Sequence, residues 1–214
     1  MKLGIILRRI QHMIRFKILF IGILIMLLNY SCSEKFATTE MENNFNSEQI
    51  NDLEKIRDFF ENQICGESKL DFGDCFKKIP HDSLYAYGNP FWEQIDFEKQ
   101  KDLYKNISKS TFNEIWEFCK TTYFKSGKVN RTACSSNGNY QNYLTELGKK
   151  NPKIEKYAER LLSAGDWSTG NIHYQVFSDE KNFDLNNSDI QLILSIHYLT
   201  FNDQEKRNEK WNTE

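Results

Sequence analysis

The sequence predicts a mainly α-helical protein, a small multi-helix domain of antiparallel helical hairpins with irregular loops that disulfides staple together. Three observations predict this fold class. Apolar residues recur at three- and four-residue spacing along several segments, which is the period of an amphipathic helix. Helix-capping residues stand at the ends of those segments. Four cysteines fall in or beside the turn-rich stretches between them.

The first helix is predicted over residues 47–65. Ser47 can act as its N-cap, because the hydroxyl can accept a hydrogen bond from a free backbone N–H of the first turn. The apolar stripe that follows consists of Ile50, Leu53, Ile56, Phe60 and Ile64. Glycines and prolines interrupt this period over residues 65–95, so we expect an irregular segment there.

Two short helices are predicted next, and they should pack antiparallel because only a few polar residues join them. The first begins after Asp96 and runs through Asn106. The second opens at a capping box, in which Glu114 follows Thr111 by three residues. Its inner side would carry Phe112, Ile115, Trp116, Cys119 and Tyr123.

Residues 140–165 give the clearest helical hairpin. Its two apolar stripes are Tyr140, Tyr143, Leu144 and Leu147, and then Ile154, Tyr157, Ala158, Leu161 and Leu162. Gly148 is predicted to end the first helix as a left-handed C′ residue, and Gly165 to end the second. Asn151 caps the second helix, and Pro152 takes its first position.

Residues 189–201, DIQLILSIHYLTF, fit two structures. Alternate apolar residues would suit a strand, whereas Ile190, Ile193, Leu194, His197 and Phe201 keep helical spacing. We favour the helix, because Ser188 and Gln191 form a capping-box pattern and no turn divides the run. A helix that is apolar almost all round belongs in the centre of the core.

The N-terminal segment has a basic start, an apolar run from Ile18 to Leu28 and a small residue before Cys32. A run of eleven residues is the length of a signal-peptide h-region and is too short to cross a bilayer core of about 30 Å. The ending LNYSC resembles the lipobox of bacterial lipoprotein precursors. This resemblance implies that residues 1–31 are a signal peptide and that Cys32 carries the lipid.

The same resemblance implies a location. The lipid at Cys32 would anchor the protein to a membrane of the bacterial cell envelope, with the folded domain outside the cytoplasm. Ordinary cleavage near Ser31 or Ser33 and an uncleaved short anchor are the alternatives. Met13 opens a more compact signal peptide, so we expect it to be the true start.

Removal of residues 1–31 changes the charge of the chain. It takes away five of the 28 basic residues and none of the 30 acidic ones, which leaves a net charge of −7. An acidic protein repels phosphate backbones, which argues against nucleic acid as a partner. Residues 32–46 are polar and without period, so we expect a tether there and a single helical domain over 47–214.

The four cysteines of the mature chain are predicted to form disulfides, because export places them in an oxidising compartment. Four cysteines allow three pairings. Proximity favours Cys65–Cys75 and Cys119–Cys134, since each pair brackets a single turn-rich stretch. A metal site is disfavoured because no C-x-x-C or H-x-x-x-H spacing occurs, and free thiols are the remaining alternative.

Few residues in the sequence indicate chemistry. His81 beside Asp82 could act as a general base, but it lies in no recognisable catalytic motif. His173 with Asp166 or Asp179 could bind a metal, but the spacing fits no known metal pattern. No cofactor motif or metal-ligand spacing is present in the sequence. The aromatic residues of a Gly- and Pro-punctuated loop, Tyr85, Tyr87, Phe91 and Trp92, are the candidate binding surface.

Two function classes follow. The first is a cell-envelope lipoprotein with a non-catalytic role, which binds another protein or an envelope polymer and uses no cofactor. The second is an envelope-tethered hydrolase that uses His81 or His173 with nearby carboxylates. The sequence favours the first, because no complete catalytic constellation is visible in it.

Overall fold

A computed structural model describes the chain over residues 36–81, 94–123, 127–165, 167–172 and 184–210. Within these ranges the protein is mostly helical, with nine helices and a two-stranded sheet. The mainly α fold class is thereby confirmed. The helices are α1 Thr39–Asn44, α2 Ser47–Cys65, α3 Phe72–Lys77, α4 Phe97–Asn106, α5 Lys109–Ile115, α6 Asn139–Gly148, α7 Pro152–Ala164, α8 Thr169–Ile172 and α9 Ser188–Lys206, and the strands are β1 Trp116–Tyr123 and β2 Lys128–Ser135.

Helix α9 is the centre of the core, and it packs against α2, α4 and β2. The helical alternative for residues 189–201 is therefore correct. Asn187 caps the helix, because its side-chain oxygen accepts hydrogen bonds from the backbone N–H groups of Asp189 and Ile190. None of the helices in the described ranges has both the length and the apolar character needed to cross a bilayer.

The helix predicted from Thr111 to Tyr123 is wrong beyond Ile115. Residues 109–115 form α5, and residues 116–123 form β1, which pairs antiparallel with β2. In this register Phe118 lies opposite Ala133 and Cys119 lies opposite Thr132. Aromatic and β-branched residues favour strands, and pairing with a partner strand outweighs the helical spacing of the apolar residues.

Both predicted disulfides are present. Cys65 at the end of α2 is bonded to Cys75 in α3, with Cα atoms 5.2 Å apart. Cys119 of β1 is bonded to Cys134 of β2, with Cα atoms 6.1 Å apart. The first bridge fixes α3 to α2, and the second joins the two strands of the hairpin.

The tether predicted for residues 32–46 is too long, because the chain joins the folded core by Phe36. Phe36, Met41 and Phe45 are buried, and residues 39–44 form α1. Thr38 caps this helix by accepting a hydrogen bond from the backbone N–H of Met41. The sequence of α1, TEMENN, is mostly polar and shorter than two helical turns, so it shows no period of apolar residues.

Helix α7 has the predicted ends. Asn151 is its N-cap, Pro152 is its first residue, and Gly165 has φ +59° at its C-terminus. Gly148 does not have the predicted left-handed conformation and lies inside α6. A Cβ at Gly148 would come within 3.0 Å of the Glu155 Cα, so the glycine allows α6 and α7 to approach closely.

Candidate functional site

A groove of about 860 Å³ lies between α4, α5, the β1–β2 hairpin and the segment after α9. This volume is typical of a ligand site, for which about 300–1,000 Å³ is usual. Six basic and two acidic residues contribute to the lining. The lining residues are Lys101, Tyr104, Lys105, Ile107, Lys109, Phe112, Asn113, Glu117, Phe118, Arg131, Arg207, Glu209 and Lys210.

The floor of the groove is aromatic. Phe112 of α5 lies 5.3 Å from Tyr104 of α4 and 5.2 Å from Phe118 of β1, measured between ring centroids. Trp116 supports these rings from below, with its centroid 5.1 Å from that of Tyr104. The indole N–H of Trp116 donates to the Thr200 hydroxyl of α9, which ties the floor to the core.

Two arginines pack on one ring of this floor. The guanidinium carbon of Arg131 lies 4.4 Å from the Phe118 centroid, and that of Arg207 lies 4.5 Å from the same centroid. Arg207 also lies over Phe97, at 5.4 Å. All three contacts are cation–π interactions, and the two on Phe118 hold β1, β2 and the end of α9 together at the groove.

The two arginines differ in how much of their charge is available. Arg207 is buried, and it donates to the carboxylates of Asp203 and Glu209. Arg131 is exposed and makes no ion pair with any residue that the structure describes. We conclude that Arg207 is structural and that Arg131 presents its charge to the groove.

The lysines of the groove divide in the same way. Lys101 and Lys105 are paired with Glu98 and Asp102, each at 2.8 Å. Lys109 and Lys210 are exposed and, within the described ranges, have no acidic partner. The groove therefore offers three uncompensated cations, Lys109, Arg131 and Lys210, over an aromatic floor.

A smaller cleft of about 330 Å³ lies at the start of α9. Glu40 and Asp189 are the buried acidic residues of its lining, and Oδ1 of Asp189 accepts hydrogen bonds from the hydroxyls of Thr38 and Tyr143, both at 2.7 Å. Burial raises the pKa of Asp189 above its usual range, although these hydrogen bonds act in the opposite direction. Nearby, Lys150 forms an ion pair with Glu40.

The described residues contain no cluster of three or more histidine, cysteine, aspartate or glutamate side chains that could hold a metal ion. Asp189 of α9 accepts hydrogen bonds from Thr38, the N-cap of α1, and from Tyr143 of α6, so its side chain links these three helices.

His81 is integrated into the core packing around α3. Its Nε2 lies 2.9 Å from the carbonyl oxygen of Phe76, and its Nδ1 lies 3.2 Å from the hydroxyl of Tyr198. Because the carbonyl can only accept, Nε2 donates to it, and Nδ1 of the neutral ring then accepts from Tyr198. His197 is also buried, with Nδ1 3.1 Å from the Tyr157 hydroxyl.

Several residues singled out in the sequence lie outside the described residues. They are Cys32 with the signal peptide, the predicted catalytic candidate His173, the residues Asp82, Asp166 and Asp179 named with the histidines, and the predicted binding surface of Tyr85, Tyr87, Phe91 and Trp92. Of the residues that the sequence indicated, the structure brings together the cysteine pairs. It does not place His81 at either cleft.

The groove was not predicted from the sequence. A partial signal was present, because Lys101 and Lys105 lie four residues apart on one face of α4, whereas Lys109 belongs to the separate helix α5. Arg131 and Lys210 give no such signal, since each is distant in sequence and reaches the groove only through the fold. Comparison with protein-family models, curated proteins and solved structures gives no significant match for this chain.

Proposed function

We propose that this protein is a non-catalytic binding protein of the bacterial cell envelope, anchored by a lipid at Cys32, whose groove holds an anionic ligand. The observation that carries the proposal is a set of three cations, Lys109, Arg131 and Lys210, which lie around an aromatic floor and have no acidic partner in the part of the chain that the structure describes. In this proposal the domain is built of the antiparallel helical hairpins expected from the sequence, of which α6 and α7 form one.

The contrast between the groove and the whole chain supports an anionic ligand. The mature chain would carry a net charge of −7, so most of its surface repels anions. Of the six basic residues of the groove, Lys109, Arg131 and Lys210 have no acidic partner among the described residues, against one unpaired acidic residue, Glu117. A local basic site on an acidic protein attracts an anion at short range, and salt screens this attraction over about 8–10 Å.

The position of His81 supports a binding role over the hydrolase alternative. A general base needs a ring nitrogen that faces the substrate. Both ring nitrogens of His81 lie within hydrogen-bond distance of core groups, the carbonyl of Phe76 and the hydroxyl of Tyr198. The groove contains no histidine among its described lining residues.

Binding of a polyanion tests this proposal. We would titrate the mature protein, purified in detergent, with dextran sulfate and with neutral dextran, and measure affinity by calorimetry at several salt concentrations. We expect binding of dextran sulfate only, with an affinity that falls as salt rises. The triple variant Lys109→Ala/Arg131→Ala/Lys210→Ala should lose about tenfold or more in affinity.

A matched control removes the same charge elsewhere. Lys69, Lys149 and Lys156 are exposed and lie outside the groove, so their triple alanine variant should bind dextran sulfate nearly as the unchanged protein does. Failure of the unchanged protein to bind the polyanion at low salt contradicts the proposal. Equal losses in the two triple variants also contradict it, since they would indicate a general charge effect.

A further inference from the structure

Resting on the proposed anion-binding role of the groove, we infer that its ligand is an acidic polysaccharide, a sugar chain that carries carboxylate groups. Three properties of the groove support this class of ligand. They are two carboxylates among the cations, a partly exposed aromatic ring, and a volume suited to more than a single charged group.

The two carboxylates are the first property. Glu117 is exposed and makes no ion pair with any described residue, and Glu209 pairs with Arg207 through one oxygen only. A ligand that is purely anionic, such as polyphosphate, would be repelled by both and would bring no hydrogen-bond donor to them. Sugar hydroxyls donate to carboxylates, so a sugar acid satisfies the glutamates and the cations together.

The aromatic ring is the second property. Both arginines lie over Phe118. Phe112, like Tyr104, is a half-buried floor ring on which no described cation lies. Sugar rings present apolar C–H faces that pack on aromatic faces, whereas phosphate and sulfate groups gain nothing from such a surface. The exposed amide of Asn113, next to this ring, offers both donors and an acceptor to hydroxyl groups.

The volume is the third property. At about 860 Å³ the groove lies near the upper end of the range of about 300–1,000 Å³ for small-ligand sites. The three free cations come from α5, β2 and the segment after α9, so they surround the groove on different elements. Such an arrangement suits a chain that carries acidic groups at intervals rather than one isolated anion.

The experiment compares three polyanions of similar length and charge with a neutral sugar chain. The mature protein would be titrated with oligogalacturonate, neutral oligogalactose, polyphosphate and a poly-glutamate peptide at one ionic strength. We expect oligogalacturonate to bind about tenfold more tightly than the other polyanions, because only it supplies both hydroxyl donors and carboxylates.

Two variants make the test specific. Phe112→Leu should weaken oligogalacturonate binding about three- to tenfold and leave polyphosphate binding unchanged. Glu117→Gln changes an exposed position where folding is not at risk. It should strengthen polyphosphate binding and so reduce the difference in affinity between oligogalacturonate and polyphosphate. Glu159→Gln, an exposed change on α7, is the matched control and should affect neither probe.

The outcomes separate the two proposals. Equal affinity for all polyanions, or a tighter complex with poly-glutamate, overturns the acidic polysaccharide and leaves the anion-binding function standing. The acidic polysaccharide is also overturned if neither Phe112→Leu nor Glu117→Gln changes the affinity for oligogalacturonate or its margin over polyphosphate. Failure of every polyanion to bind overturns the proposed function itself.

Discussion

Asp203 and Arg207 form a buried ion pair one helical turn apart at the end of α9. The carboxylate accepts hydrogen bonds from Nε at 3.0 Å and from Nη2 at 2.6 Å, and it also accepts one from the backbone N–H of Ala133 in β2 at 2.8 Å. Arg207 in turn packs on Phe118 in the floor of the groove. This pair therefore links the central helix to the hairpin and fixes one wall of the candidate site.

Asp203→Asn should destabilise the protein by about 3–5 kcal/mol, because it leaves the buried guanidinium without a full countercharge. Urea unfolding followed by circular dichroism measures the change. Asp102→Asn is the matched control, since its ion pair with Lys105 is exposed and is worth less than about 1 kcal/mol. Similar losses in the two variants would contradict a structural role for the buried pair.

The stability of the protein should depend on the ionisation of Asp189. Burial raises its pKa in the folded state, so the folded protein holds a proton that the unfolded chain releases. The contribution of protonated Asp189 to the free energy of unfolding is complete below the pKa of about 3.9 in the unfolded chain. It is lost as pH rises through the higher pKa of Asp189 in the folded protein. Hence the unfolding free energy of the unchanged protein should fall from pH 4 towards neutrality by more than that of Asp189→Asn.

The asparagine variant isolates the charge. Its Oδ1 can still accept from the hydroxyls of Thr38 and Tyr143, so the hydrogen bonds that hold α1 remain. Urea unfolding at pH 4, 5, 6 and 7 gives the comparison, with Glu159→Gln as the exposed control for loss of one negative charge. Parallel pH profiles for Asp189→Asn and the unchanged protein would contradict the prediction.

How far the sequence predicted the fold depends on where the determining contacts lie. Helix α7 was predicted with its ends, because Asn151, Pro152 and Gly165 act on their own backbone neighbours. Strand β1 lies where the sequence predicts a helix, because Trp116 and Cys119 keep helical spacing and only pairing with β2, the next segment of the chain, makes residues 116–123 extended. Capping residues act within one helix and can be identified from the sequence, whereas strand pairing depends on contacts between two segments.

The candidate site shows the same division. Lys101 and Lys105 lie on α4, and each pairs with an acidic residue three positions earlier, a spacing that is visible in the sequence. Lys109 lies on α5, and its position at the groove depends on how α4 and α5 pack. Arg131 joins the site only because β2 places it over Phe118 of β1.

The bridge between Cys65 and Cys75 should contribute about 3 kcal/mol to stability, because it closes a short loop in the unfolded chain. The double variant Cys65→Ser/Cys75→Ser tests this by urea unfolding. Peptide mapping without reduction should recover Cys65 linked to Cys75 and Cys119 linked to Cys134. A different pairing, or a protein mass that reduction and alkylation leave unchanged, would contradict these two disulfides.

Met41→Ala should cost about 2–5 kcal/mol in unfolding free energy, because α1 belongs to the core and the shorter side chain leaves a cavity there. Met41 is fully buried, and Phe45 from the same helix packs edge-on against Tyr143 with ring centroids 5.7 Å apart. Asn51→Ala, at an exposed position in α2, is the control and should change stability by no more than about 0.5 kcal/mol. If both variants unfold at the same urea concentration as the unchanged protein, α1 does not contribute to the core, and residues 36–46 are a tether.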